Sequence, residues 1–276
     1  MPYKTILVHL NDSRRVERIL EAAARLATRF NSHLVGLHAY SAVPASPVPR
    51  TSSAPGPIGA AERRNNEAIA ELFERMTAGK SFVAEWQLHK VPHVNLASVV
   101  MERGRAVDLI VAGQTDPNWD LSPLMDFPER LALESGRPVL IIPYAGHSST
   151  VGRRVVIAWK GSSEAARAVF DALPLLREAE VVHILEIEER GGDGATLTPA
   201  ASIAATLGRH GIKAEVRSSI ASGITVGDEI LSRAADLDAD LLIMGAYGRS
   251  RIRELVFGGV TRHITKHMTL PTLLSH

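Results

Sequence analysis

The stretch MGAYGRSRIRELVFGG, Met244 to Gly259, holds four glycines and three arginines in sixteen residues. Gly245 and Gly248 stand at its start and Gly258 and Gly259 at its end, with Arg249, Arg251 and Arg253 between them. Glycine carries no side chain and tolerates positive φ, so it lets the backbone approach a ligand closely. A helix opening at Gly259 would turn its free N–H groups toward an anion, and the arginines add positive charge. These features fit a phosphate cradle. They also fit plain turns, and the residues alone leave both readings open.

Other candidates are thinner. His263 and His267 have the i, i+4 spacing of a metal pair, but no third ligand is evident and a basic helix surface explains them as well. Asp108 and Asp240 precede matching apolar runs and are expected to cap or end the turns before them. Trp86 and Trp159 are expected to pack in or beside the core. The chain has no G-x-x-x-x-G-K-S/T, no G-x-G-x-x-G after a strand, no H-E-x-x-H and no G-x-S-x-G. No nucleophile stands with a base and an orienting group, so binding is expected rather than catalysis. The absence of cysteine excludes disulfides, thiolate metal sites and cysteine nucleophiles.

The chain of 276 residues is 45% hydrophobic and 22% charged, an ordinary globular composition. Its formal net charge of +1 implies no strong pull toward nucleic acid or an acidic membrane. The apolar run near the start is too short for a leader, and no stretch is apolar enough to span a bilayer. A soluble cytoplasmic protein is expected, with no nucleic acid or membrane partner.

The elements that must carry the glycine loop appear twice. KTILVHLNDS (Lys4–Ser13) resembles RVVIAWKGSS (Arg154–Ser163), AVDLIVAGQ (Ala106–Gln114) resembles DADLLIMGA (Asp238–Ala246), and GRPVLIIPY (Gly136–Tyr144) resembles TLPTLLSH (Thr269–His276). One order in two halves is a duplication. In the first half, strands are expected at Ile6–Leu10, Leu34–Tyr40, Phe82–Leu88, Asp108–Ala112 and Val139–Pro143. Helices fall between them, the first capped by Asp12 or Ser13 and ended by Asn31. In the second half, strands are expected at Val155–Trp159, Val181–Ile187, Lys213–Arg217, Leu241–Met244 and Thr272–Leu274. A helix there is expected to be capped by Thr198, with Pro199 in its first turn and Gly211 at its end. Alternating strands and helices predict an α/β fold: two tandem, doubly wound, five-stranded parallel-sheet domains, residues 1–145 and 152–276. The proline-dense segment Ala42–Gly59 reads as an irregular insertion or lid. In such a sheet, ligands bind outside the carboxyl ends of the strands, which is where Met244 leads into the loop.

The spacing Gly245, two residues, Gly248, nine residues, Gly258 resembles the nucleotide loop of the universal stress protein family, and the resemblance covers both halves. It implies an adenine nucleotide alpha hydrolase-like fold with the halves related by a pseudo-two-fold. The last strands of the two halves would pair with each other as an internal dimer; a further homodimer stays open. It also implies ATP or a related adenine nucleotide as ligand, with no metal beyond the Mg²⁺ that accompanies it. The implied pocket comprises Ala158, Trp159, Lys160, the backbone around Val182–Ile184, Met244, Gly245, Gly248, Arg249, Gly258 and Gly259. Two positions depart from the family pattern. Gly259 stands where a Ser or Thr hydroxyl is expected, and Lys160 stands where an acidic residue ends the first strand, as does Asn11 in the first half. The first half keeps Gly113 but lacks the later glycines and adds Asp116, Asp120 and Asp126, so no triphosphate is expected there. Gly245→Val or Gly258→Val is expected to abolish nucleotide binding and leave the fold intact, as measured by titration calorimetry and thermal unfolding.

Overall fold

The structure is a computed structural model and describes residues 2–11, 13–41, 57–91, 95–116, 118, 127–145, 150–189, 199–246 and 259–276. Among these residues, the first half holds β1 (Thr5–His9), α1 (Val16–Phe30), β2 (His33–Ser41), α2 (Pro57–Thr77), β3 (Ala84–Val91), α3 (Leu96–Gly104), β4 (Leu109–Gly113), α4 (Pro128–Glu134) and β5 (Val139–Ile142). The second half holds β6 (Arg154–Trp159), α5 (Ser163–Asp171), the single turn α6 (Leu173–Leu176), β7 (Val181–Glu189), α7 (Ala200–Arg209), β8 (Ala214–Ala221), α8 (Val226–Asp236), β9 (Leu241–Gly245), α9 (Gly259–His267) and β10 (Thr272–Ser275).

The ten strands form one sheet in the order β3-β2-β1-β4-β5-β10-β9-β6-β7-β8, which repeats the same half-order from either edge. Every pairing within a half is parallel. The halves meet at the antiparallel pair β5–β10, with Leu273 opposite Leu140 and Leu274 opposite Val139. All four of these side chains are fully buried. The short apolar runs near each half's end therefore cover one another, as the resemblance implied, and an exposed apolar sheet edge is avoided.

Strands buried on both faces read as continuous apolar runs, and β4, β5 and β10 are buried at every residue. One face of the sheet carries α1, α2, α5, α6 and α7 over Ile6, Val8, Val155 and Ile157. The other carries α3, α4, α8 and α9 over Leu7, Ile110, Val156 and Leu242. Each core runs through both halves.

Several local expectations change. Ser13 does not cap α1: its N–H donates to Asn65 Oδ1 at 3.0 Å, and the N-cap position is Arg15, whose side chain makes no capping bond. Asp12 and Thr198 lie outside the described residues. Pro199 occupies the N-cap position of α7 rather than its first turn. Asn31 does end α1, with φ of 49°. The helix after the proline-dense segment starts at Pro57, inside the range read as irregular, because proline suits a first turn that has no partner for its N–H.

The two matching aspartates also act differently from expectation. Asp108 accepts from the N–H groups of Lys4 and Thr5 at 2.7 and 2.9 Å. Asp240 accepts from Gly152, Arg153 and Arg154 at 3.1, 3.1 and 2.9 Å. Each therefore ties the start of its half's fourth strand to the start of the first. The pairing also corrects the repeat register. Ile6 pairs with Leu109 as Val155 pairs with Leu241, so Ile6 stands over Val155, one residue from the match that the two quoted segments suggest. Apolar runs as uniform as ILVHL and VVIAW tolerate that slip in sequence; strand pairing does not. Asn11 then stands over Lys160.

Removing the Asp240 clamp leaves three backbone donors without their charged acceptor. Asp240→Ala should lower stability by about 2 kcal/mol in urea unfolding, and Asp240→Asn by less because one acceptor oxygen stays.

Candidate functional site

In the second half, the connections on either side of β6 leave on opposite faces, so the sheet opens at the carboxyl ends of β6 and β9, its switch point. A cavity of about 480 Å³ lies there. Its floor is Ala158 of β6 with Lys160 just after it, Leu185 and Ile187 of β7, and Met244 and Gly245 of β9. Val226 and Ile230 of α8 form one wall, Ser162 and Ala165 the opposite one, and Gly259, Val260 and Thr261 of α9 close the end. The lining is chiefly apolar, with the free N–H groups of α9 at one margin. That combination holds a flat apolar body beside an anionic group.

Of the positions implied from sequence, Ala158, Trp159, Lys160, Met244, Gly245 and Gly259 line this cleft. Val182 does not. It is the second residue of β7, paired with Val155 at the amino-terminal end of β6, so it faces the core far from the carboxyl edge. Leu185 and Ile187 reach the cleft from that strand instead. Period-two alternation with the switch-point rule could have selected them. Gly248, Arg249, Arg251, Arg253 and Gly258 lie outside the described residues.

The two described loop glycines serve different ends. A Cβ on Gly245 would sit 2.5 Å from the Ala165 backbone nitrogen and 2.5 Å from the Glu164 carbonyl carbon. The start of α5 presses directly on β9, so Gly245 is needed for packing and not only for a ligand. This overturns the expectation that Gly245→Val leaves the fold intact. A Cβ on Gly259 would meet nothing within 4 Å. Of these two glycines, Gly259 is the one whose bare backbone meets open space among the described residues.

Capping holds the walls. Ser162 Oγ accepts the Ala165 N–H at 3.2 Å, and Thr225 with Asp228 forms a reciprocal capping box on α8. Asp228 also bonds His263 Nε2 at 2.8 Å, which ties α8 to α9. The Thr225 hydroxyl and then His263 hold its carboxyl below the usual range. A Cβ on Gly227 would stand 2.6 Å from the His263 ring, so these helices touch closely. His267 Nδ1 bonds the His263 carbonyl oxygen at 2.9 Å, and among the described residues no group of three or more potential metal ligands forms. Trp159 is buried at the cleft's edge, and Trp86 packs against the Phe73 ring at 5.3 Å.

The matching strand end in the first half carries larger described side chains. His9 stands where the second half has Ala158, and its ring lies 4.9 Å from that of Phe127, just before α4. Both rings are buried among Leu37, Ala39 and Ala112. Burial lowers the His9 pKa from 6.5 to about 3, so the ring stays neutral. His38, also buried, bonds the Leu10 carbonyl oxygen and Asn66 Oδ1, and burial lowers its pKa as well.

A doubly wound five-stranded half, repeated once in tandem, defines a two-domain α/β protein. The sequence model of the Universal stress protein family matches residues 2–143 and again 152–276. The chain belongs to the universal stress protein family, with two copies in tandem. It is 27% identical over 146 residues to universal stress protein Slr1230 of Synechocystis, and spans about half the length of that curated relative, 49%, with 52% of its own. A universal stress protein from Archaeoglobus fulgidus superposes with a TM-score of 0.74 at 17% identity, over 98% of this chain and 95% of that one. A functionally unknown protein, PA1789 of Pseudomonas aeruginosa, gives 0.60 at 13% identity, over 99% and 92%. Among the described residues no helix is long and apolar enough to cross a membrane.

Gly245→Val should lower stability by about 3 kcal/mol in urea unfolding because the new side chain meets backbone, whereas Gly259→Val should leave it within about 0.5 kcal/mol. The unfolded chain protonates His9 near pH 6.5 and the folded one only near 3. The stability held above 6.5 is therefore lost as pH falls through that window. Urea midpoints measured from pH 7 to 4 should fall less steeply in His9→Leu than in the parent.

Proposed function

We propose that the second half holds an adenine nucleotide, ATP or AMP, and that the protein is a stress-response binding module that signals its nucleotide state through shape or partner. The observation that carries this reading is the switch-point cleft at Gly259, where an apolar floor meets a helix N-terminus with no side chain in the way. The base would rest on the apolar floor, and the phosphoryl groups would lie toward α9. Mg²⁺ would arrive with a polyphosphate and owe its place to the ligand. No group in the cleft lining offers a nucleophile with an attendant base, so binding is the proposed role and turnover is not part of it.

One observation favours the alternative, a scaffold that acts through protein contacts or another small ligand. The bare backbone at Gly245 is fully accounted for by α5, so that glycine would persist without any nucleotide. The two readings separate on the purified protein. Denaturation and mass spectrometry should release a bound adenine nucleotide, and calorimetry with ATP and AMP should give saturable binding. Gly259→Val should weaken that binding at least about tenfold with melting unchanged. Gly259→Ser, which adds a hydroxyl donor at the helix start, should tighten it several-fold. No heat at millimolar ATP or AMP would leave the scaffold reading in place.

A further inference from the structure

Lys160 is the one charged side chain among the described residues that line the cleft. It is exposed and makes no hydrogen bond or ion pair with another described residue. Its place in the sheet is informative. The local order is β9-β6-β7, and Lys160 directly follows β6, the middle strand of the three. On the β7 side, Leu185, Ile187, Val226 and Ile230 form the apolar part of the cleft. The start of α9 at Gly259 borders the cleft and also neighbours Val226 and Gly227 of α8. Adjacent strands stand roughly 4.8 Å apart, so β7 and β9 lie about 10 Å apart with β6 between them. A base laid against the β7 side of the cleft would bring its ribose over β6, beside Lys160.

A ribose with free hydroxyl groups is best read by a carboxylate, which accepts its O–H bonds. Among the described residues the cleft lining offers no carboxylate. An ammonium has three donors and no acceptor, and it gains most from an anion. We propose that the cleft prefers an adenine nucleotide bearing a second phosphoryl group on its ribose, at the 2′ or 3′ oxygen, with the Lys160 ammonium as its partner. This rests on the nucleotide reading of the cleft and names the class of nucleotide. The base occupies the apolar part, the 5′-phosphate faces α9, and the ribose phosphate meets Lys160.

The test is calorimetry on the full chain with 5′-AMP, adenosine 2′,5′-bisphosphate, adenosine 3′,5′-bisphosphate and 3′,5′-cyclic AMP, each with the parent protein and with Lys160→Met. At least one bisphosphate should bind about tenfold more tightly than 5′-AMP, the increment of one charge-assisted contact. Lys160→Met should erase that increment, so that bisphosphate and 5′-AMP bind the variant alike, and thermal unfolding should confirm that the variant is folded. Bisphosphates that bind no better than 5′-AMP would overturn the proposal. So would an equal loss of 5′-AMP and bisphosphate affinity in Lys160→Met, which would assign the lysine to the 5′-phosphate. Cyclic AMP as the tightest ligand would overturn it too, because its phosphoryl group bridges both oxygens. If 5′-AMP itself does not bind at millimolar concentration, the underlying nucleotide reading fails, an outcome distinct from the others.

Discussion

The antiparallel contact of β5 with β10 is the constraint on which the rest of the molecule depends. Each half ends in a four-residue strand whose side chains are all buried. Left at the edge of a separate five-stranded sheet, either strand would expose both its apolar side chains and a row of unpaired backbone groups. Joined, they make each face of the sheet one continuous core. Polar contacts lock the same seam from its flanks. The Tyr3 hydroxyl donates to the Asp171 carbonyl oxygen at 2.7 Å, and Arg29 reaches the Val151 carbonyl oxygen and the Glu178 carboxylate. Gln114, buried at the end of β4, donates to the carbonyl oxygens of Thr265 and Lys266 near the end of α9. The first half is thus a structural partner of the helix whose start closes the second half's cleft.

The antiparallel seam also makes strands of the two halves run in opposite directions, so their carboxyl edges face opposite ends of the sheet. Matching cleft positions are therefore remote from one another and free to diverge. In the first half, His9 and Phe127 set two buried rings beside the end of β1. In the second, Ala158 and Gly259 line the cleft. His9 in place of Ala158 adds a buried ring to the first half, while the backbone topology stays the same. His9 stays neutral, and burial among apolar side chains is the cause of its low proton affinity.

Much of the fold was legible because its signals are local. Apolar runs of strand length, alternating with helical periodicity, placed all ten strands to within a few residues. The repeat of those runs placed the duplication, and PVLII and PTLLS announced edge strands that need cover. The candidate site was legible only in outline. Met244, Gly245 and Lys160 follow from the switch-point rule applied to two strand ends. Val182 was misplaced because an apolar run does not say which of its residues reaches the carboxyl edge. The matching aspartates were read as turn caps because their partners, at Lys4 and Gly152–Arg154, are distant in sequence. The repeat register slipped by one residue because uniform apolar strands carry little information about phase.

The sequence by itself determined the class of fold, the duplication and the location of a glycine-rich segment after a buried strand. All of these are carried by composition and periodicity over neighbouring residues. Tertiary structure alone decided what each glycine is for. Gly245 is bare because the α5 backbone lies against it, and Gly259 is bare beside open space. Nothing in the order of residues distinguishes the two, because the deciding contacts come from segments that only folding brings together.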